Sequence, residues 1–243
     1  MQNDFIKKES RGVVTLGSDN RLQWDNLAKK YGEEVLAQRY ILIPNAINTI
    51  LPTITRGSIV LDIGCGNGLY SKMFTDVGAE VLGVDISPEQ IKIAKDNNPD
   101  GNFFAGTIES VEGINSYNII FANMLICNLP STDSVISFLD KSYDLLVDGG
   151  TLYITNVAKE FQKTCETGYV KHLYQGKVVE GSELDVELRL TDGTTIGPFK
   201  NYHYSPEFLV GSAQCLGYST RVGFINSEGE DTSMQYQLFI FQK

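Results

Sequence analysis

The sequence predicts an α/β protein: a mostly parallel seven-stranded sheet with helices on both faces, plus a small antiparallel hairpin inserted after the fifth strand. Three observations carry this. Short apolar, β-branched runs alternate five times with segments of helical spacing, the pattern of parallel β-α-β units with right-handed crossovers. The first run passes directly into a glycine-rich turn, Gly64-Cys65-Gly66-Asn67-Gly68. Past about residue 160 the period changes from helical to strand-like.

In chain order, residues 1–23 mix charges with Gly and Ser without a sustained period and are expected to be a tail. Residues 24–56 form a helical cap. Its first helix runs from Trp24 to about Tyr40, with Trp24, Leu27, Ala28, Tyr31, Val35 and Leu36 at helical spacing. Its second, Asn45 to Leu51, is bracketed by Pro44 and Pro52. The main domain spans 57–243. Ile59 to Ile63 is a strand covered on both faces, and Leu69 to Val77 a helix whose free N–H groups point back at the turn.

Glu80 to Ile86 is the second strand, and Ser87-Pro88-Glu89 starts a helix with Pro at its first position, ending at Asn98-Pro99-Asp100-Gly101. Asn102 to Ala105 and Tyr117 to Met124 are the next strands. Thr132 to Leu146 is helical, stopped by Asp148-Gly149-Gly150, and Thr151 to Val157 is the fifth strand. An insertion at 165–204 contains a hairpin, Lys177 to Phe199, turning at Thr191-Asp192-Gly193-Thr194. A helix, Pro206 to about Leu216, and two strands, Thr220 to Ile225 and Gln235 to Phe241, complete the domain.

Composition excludes several functions. With 243 residues and 42% apolar content the chain is globular. It has no apolar run long enough to span a bilayer and no basic, apolar signal segment, so no membrane role is expected. The net charge of −10, without a Lys/Arg cluster, argues against a nucleic-acid partner. Cys65, Cys127, Cys165 and Cys215 are scattered, which argues against a zinc site or disulfide framework and favours a reducing cytoplasm. No Asp, Glu and His cluster has metal-ligand spacing, so no metal is expected.

A strand, glycine loop and helix followed by an acid ending the next strand form a nucleoside-binding pattern. The acid is Asp85, placed to accept hydrogen bonds from ribose hydroxyls. Two details disfavour a nicotinamide dinucleotide. Leu69 stands where G-x-G-x-x-G needs its third glycine, and Asp62 before the loop suits a cationic amine better than a pyrophosphate.

These segments resemble the class I S-adenosylmethionine-dependent methyltransferases, of the small-molecule type and Rossmann-like fold. Asp62-Ile63-Gly64-Cys65-Gly66-Asn67-Gly68 is similar to their first motif and Val84-Asp85-Ile86-Ser87-Pro88 to their second. Gly106-Thr107-Ile108-Glu109 resembles the third, with Thr107 in place of the usual Asp, and Asp148-Gly149-Gly150-Thr151-Leu152 resembles the turn before strand five. The resemblance covers about Trp24 to Ala158 and is looser beyond. It implies that Asp62 and the Gly64, Gly66 and Gly68 backbone hold the methionine part. Asp85 would take the ribose, Ile86, Thr107 and Ile108 would meet the adenine, and Asn123 would lie beside the methionine moiety. Tyr31 resembles the tyrosine placed over the sulfonium in many members; periodicity equally allows a core-facing aromatic.

The implied reaction is methylation of O, N or C of a small-molecule metabolite with S-adenosylhomocysteine as product. The same cofactor motifs also allow ring closure from its aminobutyryl arm with release of methylthioadenosine, or binding without catalysis. His203, in Asn201-Tyr202-His203-Tyr204-Ser205-Pro206, lies in an aromatic loop that covers the acceptor pocket in the enzymes this resembles. It is a candidate base or substrate ligand, against the reading of an exposed loop histidine; Tyr31 is the second catalytic candidate. Asn128, Tyr202, His203 and Tyr204 are the substrate-binding candidates. The acidic alternation Glu180, Glu183, Asp185 and Glu187 reads as a solvated strand face.

Overall fold

The computed structural model describes residues 21–22, 24–25, 28, 44–157, 170–172, 177–189, 195–225 and 236–243. The strands are β1 (Ile59–Ile63), β2 (Glu80–Asp85), β3 (Asn102–Ala105), β4 (Tyr117–Asn123), β5 (Leu146–Val157), β6 (Val170–His172), β7 (Glu183–Arg189), β8 (Thr195–Tyr202), β9 (Ser219–Ile225) and β10 (Tyr236–Gln242). The helices are α1 (Pro44–Ile50), α2 (Leu69–Asp76), α3 (Pro88–Asn97), α4 (Thr132–Leu145) and α5 (Pro206–Cys215).

Seven strands form one sheet in the order β3-β2-β1-β4-β5-β10-β9. The first five in that order are parallel, while β10 runs antiparallel to both β5 and β9. The order reverses between β1 and β4, where the chain has crossed from one half of the sheet to the other. Ligands bind outside the carboxyl ends of strands at such a switch point. The central strands are apolar on both faces because both are covered. Val60, Ile119 and Phe121 face a layer built with α1 and α2, and Leu61, Ile63 and Ile120 face one built with α4 and α5.

Local chemistry sets the helix starts. Ser87, Ser131 and Ser205 each accept a hydrogen bond from a backbone N–H three residues on, capping α3, α4 and α5. Each such cap is worth about 1 kcal/mol. Pro88 and Pro206 sit just inside their helices, where no N–H is needed.

Two elements differ from the sequence expectation. β5 starts at Leu146 and not at Thr151, because Asp148-Gly149-Gly150 does not form a loop. It forms an irregularity inside the strand, shifting the register between Tyr117↔Leu146 and Ile119↔Thr151. The expected hairpin is a three-stranded antiparallel sheet, β6-β7-β8, with His172 opposite Val186 on the added strand. Leu184, Val186 and Phe199 of this small sheet are buried against the α1 layer, while Glu183 and Asp185 hold Lys200 at 2.6 and 2.7 Å on its exposed face. Glu183 and Asp185 thus lie on a solvated face, as their spacing suggests, while Glu180 precedes β7 and accepts the Ser205 N–H at 2.8 Å. The turn at 190–194 and most of the Trp24 to Tyr40 helix lie outside the described residues; Trp24, Asp25 and Ala28 within it are helical.

Candidate active site

One cleft opens over the carboxyl ends of β1, β2, β3 and β4. Gly64, Gly66, Asp85, Ile86, Thr107, Ile108 and Asn123 all line it, as the sequence motifs imply. The glycine loop needs its glycines for two reasons. Gly64, Gly66 and Gly68 have φ of 74°, 53° and 79°, the left-handed region that side chains disfavour. At Gly68 a Cβ would also lie 2.9 Å from Asn98 Nδ2 and 3.0 Å from Ala94 and Phe103. Gly68 therefore packs the loop down onto α3 and does not itself line the cleft.

Asp85 ties the loop to the second strand. Its carboxylate accepts the Gly66 N–H and the Ser87 N–H, each at 2.9 Å. Burial raises its pKa, against the lowering effect of those two amides. Each oxygen already holds one amide and has a further lone pair for a ligand hydroxyl.

Asp62 lies elsewhere than the motif resemblance implies. It is buried, accepts the Ser71 hydroxyl of α2 at 2.6 Å, and is not among the residues lining the cleft. Burial, assisted by nearby Asp85, pushes its pKa from 3.8 to about 7, with the Ser71 hydroxyl opposing. Its strand alternation explains the placement, since Asp62 and Ile63 point to opposite faces. Burial also pushes the Cys65 thiol up, so it stays protonated as a small loop side chain and not a nucleophile.

Across the cleft, the turn after β4 is held in an unusual shape. Met124 has φ of 52°, uncommon for a residue with a side chain. Its N–H donates to the Thr155 carbonyl at 3.1 Å, and its carbonyl accepts Asn128 Nδ2 at 2.8 Å. Thr155 Oγ1 in turn donates to Asn123 Oδ1 at 2.6 Å. These bonds hold in place a backbone conformation of the kind that concentrates at functional sites.

The four substrate-side candidates divide. Asn128 lines the cleft. Tyr204 is 2% exposed; its hydroxyl donates to the Leu129 carbonyl at 2.6 Å and its ring stacks on Phe208. His203 is also buried, with its N–H on the Ser182 carbonyl and its carbonyl accepting the Gly181 N–H. Tyr202 packs against the α4 and α5 layer and shares a 3.4 Å hydrogen bond with Glu183. Neither His203, Tyr202 nor Tyr204 lines the cleft, so this segment braces the Leu125–Leu129 wall from behind and is not an exposed loop. Tyr31 lies outside the described residues.

Sequence reasoning missed Trp24, Tyr70, Gln90, Met124, Leu125 and Phe138 as cleft residues. Trp24 faces Phe199 with ring centroids 6.4 Å apart, which brings the N-terminal helix and the small sheet to one rim. Gln90 had a visible signal: it is a polar residue on the apolar stripe of α3, beside Ile91 and Ala94. The others look like ordinary core residues in sequence.

A parallel sheet of this order, with a glycine loop and an acidic strand end opening on one cleft, is a nucleoside-cofactor fold of the class I methyltransferase type. The chain matches the methyltransferase domain family over residues 35–189 and belongs to it. Among curated proteins, a ubiquinone biosynthesis O-methyltransferase of Xanthomonas campestris pv. campestris is 28% identical over 107 residues, 42% of this chain and 44% of that protein. The enzyme of the same name from Shewanella pealeana is 26% identical over 117 residues, covering 46% and 48%. The chain thus spans less than half the length of the curated relatives it matches. Among solved structures, the CcbJ methyltransferase from Streptomyces caelestis has a TM-score of 0.68 at 16% identity, over 92% of this chain and 97% of that one. The 1,6-didemethyltoxoflavin-N1-methyltransferase of Burkholderia thailandensis, with 1,6-didemethyltoxoflavin and S-adenosylhomocysteine bound, has a TM-score of 0.60 at 16% identity over 92% and 86%. At these identities the likeness is one of fold.

Proposed function

We propose that the protein is an S-adenosylmethionine-dependent methyltransferase acting on O, N or C of a small-molecule metabolite. The observation that carries this is the convergence of Gly64, Gly66, Asp85, Ile86, Thr107, Ile108 and Asn123 on one cleft. The groups present fit the cofactor. Asp85 offers carboxylate lone pairs to a ribose diol, Ile86 and Ile108 offer apolar surface to a purine, and the glycine backbone allows close approach at the methionine end.

Held by Asp85 and the glycine-loop backbone, S-adenosylmethionine would supply a methyl carbon made electrophilic by positive sulfur. The protein's part is to dehydrate and align the acceptor, because orientation alone lowers such barriers by several kcal/mol. Trp24, Tyr70 and Met124 give the cleft an apolar, partly aromatic wall, and Asn128, on the same turn as Met124, is the candidate substrate contact. The curated relative named as a ubiquinone biosynthesis O-methyltransferase supports a small-molecule acceptor. The scattered cysteines and the charge of −10 accord with a cytoplasmic enzyme without a nucleic-acid substrate. Among the described residues no helix is long and apolar enough to cross a membrane, and no cluster of His, Cys, Asp and Glu is fit to hold a metal.

Titration calorimetry with S-adenosylmethionine, S-adenosylhomocysteine and NAD, followed by a metabolite panel read for S-adenosylhomocysteine, tests the reading. Binding of the first two ligands with product formation is expected. Binding of NAD alone, or accumulation of methylthioadenosine, would overturn it.

A further inference from the structure

Gln90 sits in the first turn of α3, 4% exposed, on the wall of the cleft. Its Oε1 is buried without a hydrogen-bond partner. A carbonyl oxygen in that position is normally satisfied, since leaving it bare costs about 1–3 kcal/mol. The oxygen lies against the glycine loop, 3.9 Å from where a Cβ on Gly66 would stand. The Gly66 N–H is committed to Asp85 Oδ2 and does not meet it. The backbone N–H of Gln90 is likewise committed, to the Ser87 hydroxyl at 3.1 Å. An unmet acceptor is therefore built in beside Asp85, on the stripe of α3 that otherwise holds Ile91 and Ala94.

We propose that Gln90 is a ribose-recognition residue, a neutral acceptor that works with Asp85 on the hydroxyls of the bound nucleoside. The proposal rests on the adenosylmethionine reading of the cleft and deepens it. Asp85 alone meets the diol with oxygens that each already carry an amide, so a second acceptor in the first turn of α3 completes the recognition. The last torsion of a glutamine is soft and broadly two-fold, so the carboxamide is free to turn its oxygen toward a hydroxyl in the cleft. Leucine or methionine would fill the same stripe without an acceptor, so the glutamine contributes selectivity for a nucleoside with both hydroxyls over its deoxy form.

The test compares wild type with Gln90→Met and Gln90→Leu in titrations with S-adenosylhomocysteine and its 2′-deoxy and 3′-deoxy analogues, beside thermal denaturation without ligand. Wild type is expected to lose roughly five- to tenfold in affinity for one of the deoxy analogues. Gln90→Met should bind S-adenosylhomocysteine weaker by a similar factor and no longer distinguish that analogue. Its ligand-free Tm should equal or exceed that of wild type, because a bare buried acceptor has been removed. Unchanged affinity in both variants, or an equal loss for all three ligands, would overturn the assignment. Failure of the wild type to bind S-adenosylhomocysteine would sink the adenosylmethionine reading and this proposal together, and is read from the wild-type titration alone.

Discussion

The two walls of the cleft are built in different ways. The wall formed by the ends of β1, β2 and β3 uses backbone amides and the Asp85 carboxylate, drawn from short contiguous segments at 63–67, 85–90 and 106–109. The facing wall joins Trp24, the Met124–Leu129 turn and, behind it, Tyr202–Tyr204 from the far end of the chain. A backbone-built wall serves any ligand carrying the same nucleoside, and it needs glycines and an acid at fixed spacing. A wall built of side chains from distant segments is free to change with the acceptor. Fixed spacing leaves a mark in sequence; assembly from distant segments does not.

The largest expected effect tests the first wall. Asp85→Ala removes the acceptor of two backbone amides and of the ribose diol at once. Charged hydrogen bonds of this kind contribute enough that S-adenosylhomocysteine affinity should fall on the order of 100-fold by calorimetry. Affinity within a few-fold of wild type would mean that the two walls do not divide the work as described.

This contrast explains what could be read before the structure. The succession of strands and helices along the chain, the glycine loop and Asp85 were legible because strand periodicity and glycine spacing are local signals. Gly149 and Gly150 misled because a glycine pair marks a turn or a strand irregularity equally well, and only the pairing of β5 with β4 decides. Tyr202, His203 and Tyr204 misled for another reason. An aromatic, histidine-bearing segment before a helix looks like a pocket lid, yet Tyr204 finds a carbonyl 75 residues away in sequence and is drawn into the core. Asp62 was read as a ligand group from its place in the motif, but its side chain takes the face of β1 that meets α2.

Asp62 gives the next effect. Its pKa is about 7 in the folded protein against an ordinary 3.8, so the native state holds a proton that the unfolded chain releases. The stability this contributes is present in full below pH 4 and is lost as pH rises through 7. Asp62→Asn removes that slope, so its Tm should decline less than that of wild type between pH 4 and 7.5. Parallel Tm-against-pH curves would show that Asp62 keeps an ordinary carboxyl pKa in the folded protein.

The smallest effect sharpens the second wall. Tyr204→Phe keeps the ring stacked on Phe208 and removes only the hydroxyl that holds the Leu129 carbonyl. Leaving that carbonyl unmet should cost about 1–2 kcal/mol, a Tm loss of roughly 2–8 °C for a chain of this size. His203→Gln tests the neighbouring position, where a base would have to reach the acceptor from a buried side chain that does not line the cleft. Because both residues stand behind the wall, each variant should keep kcat and the acceptor KM within about twofold of wild type while melting earlier. A fall in kcat for His203→Gln with loss of an ionisation from the pH–rate profile, and with little change in Tm, would move His203 to the reacting side. Equal melting and equal kinetics for Tyr204→Phe would instead show that the Leu125–Leu129 wall holds its shape through Asn128 and Met124 alone.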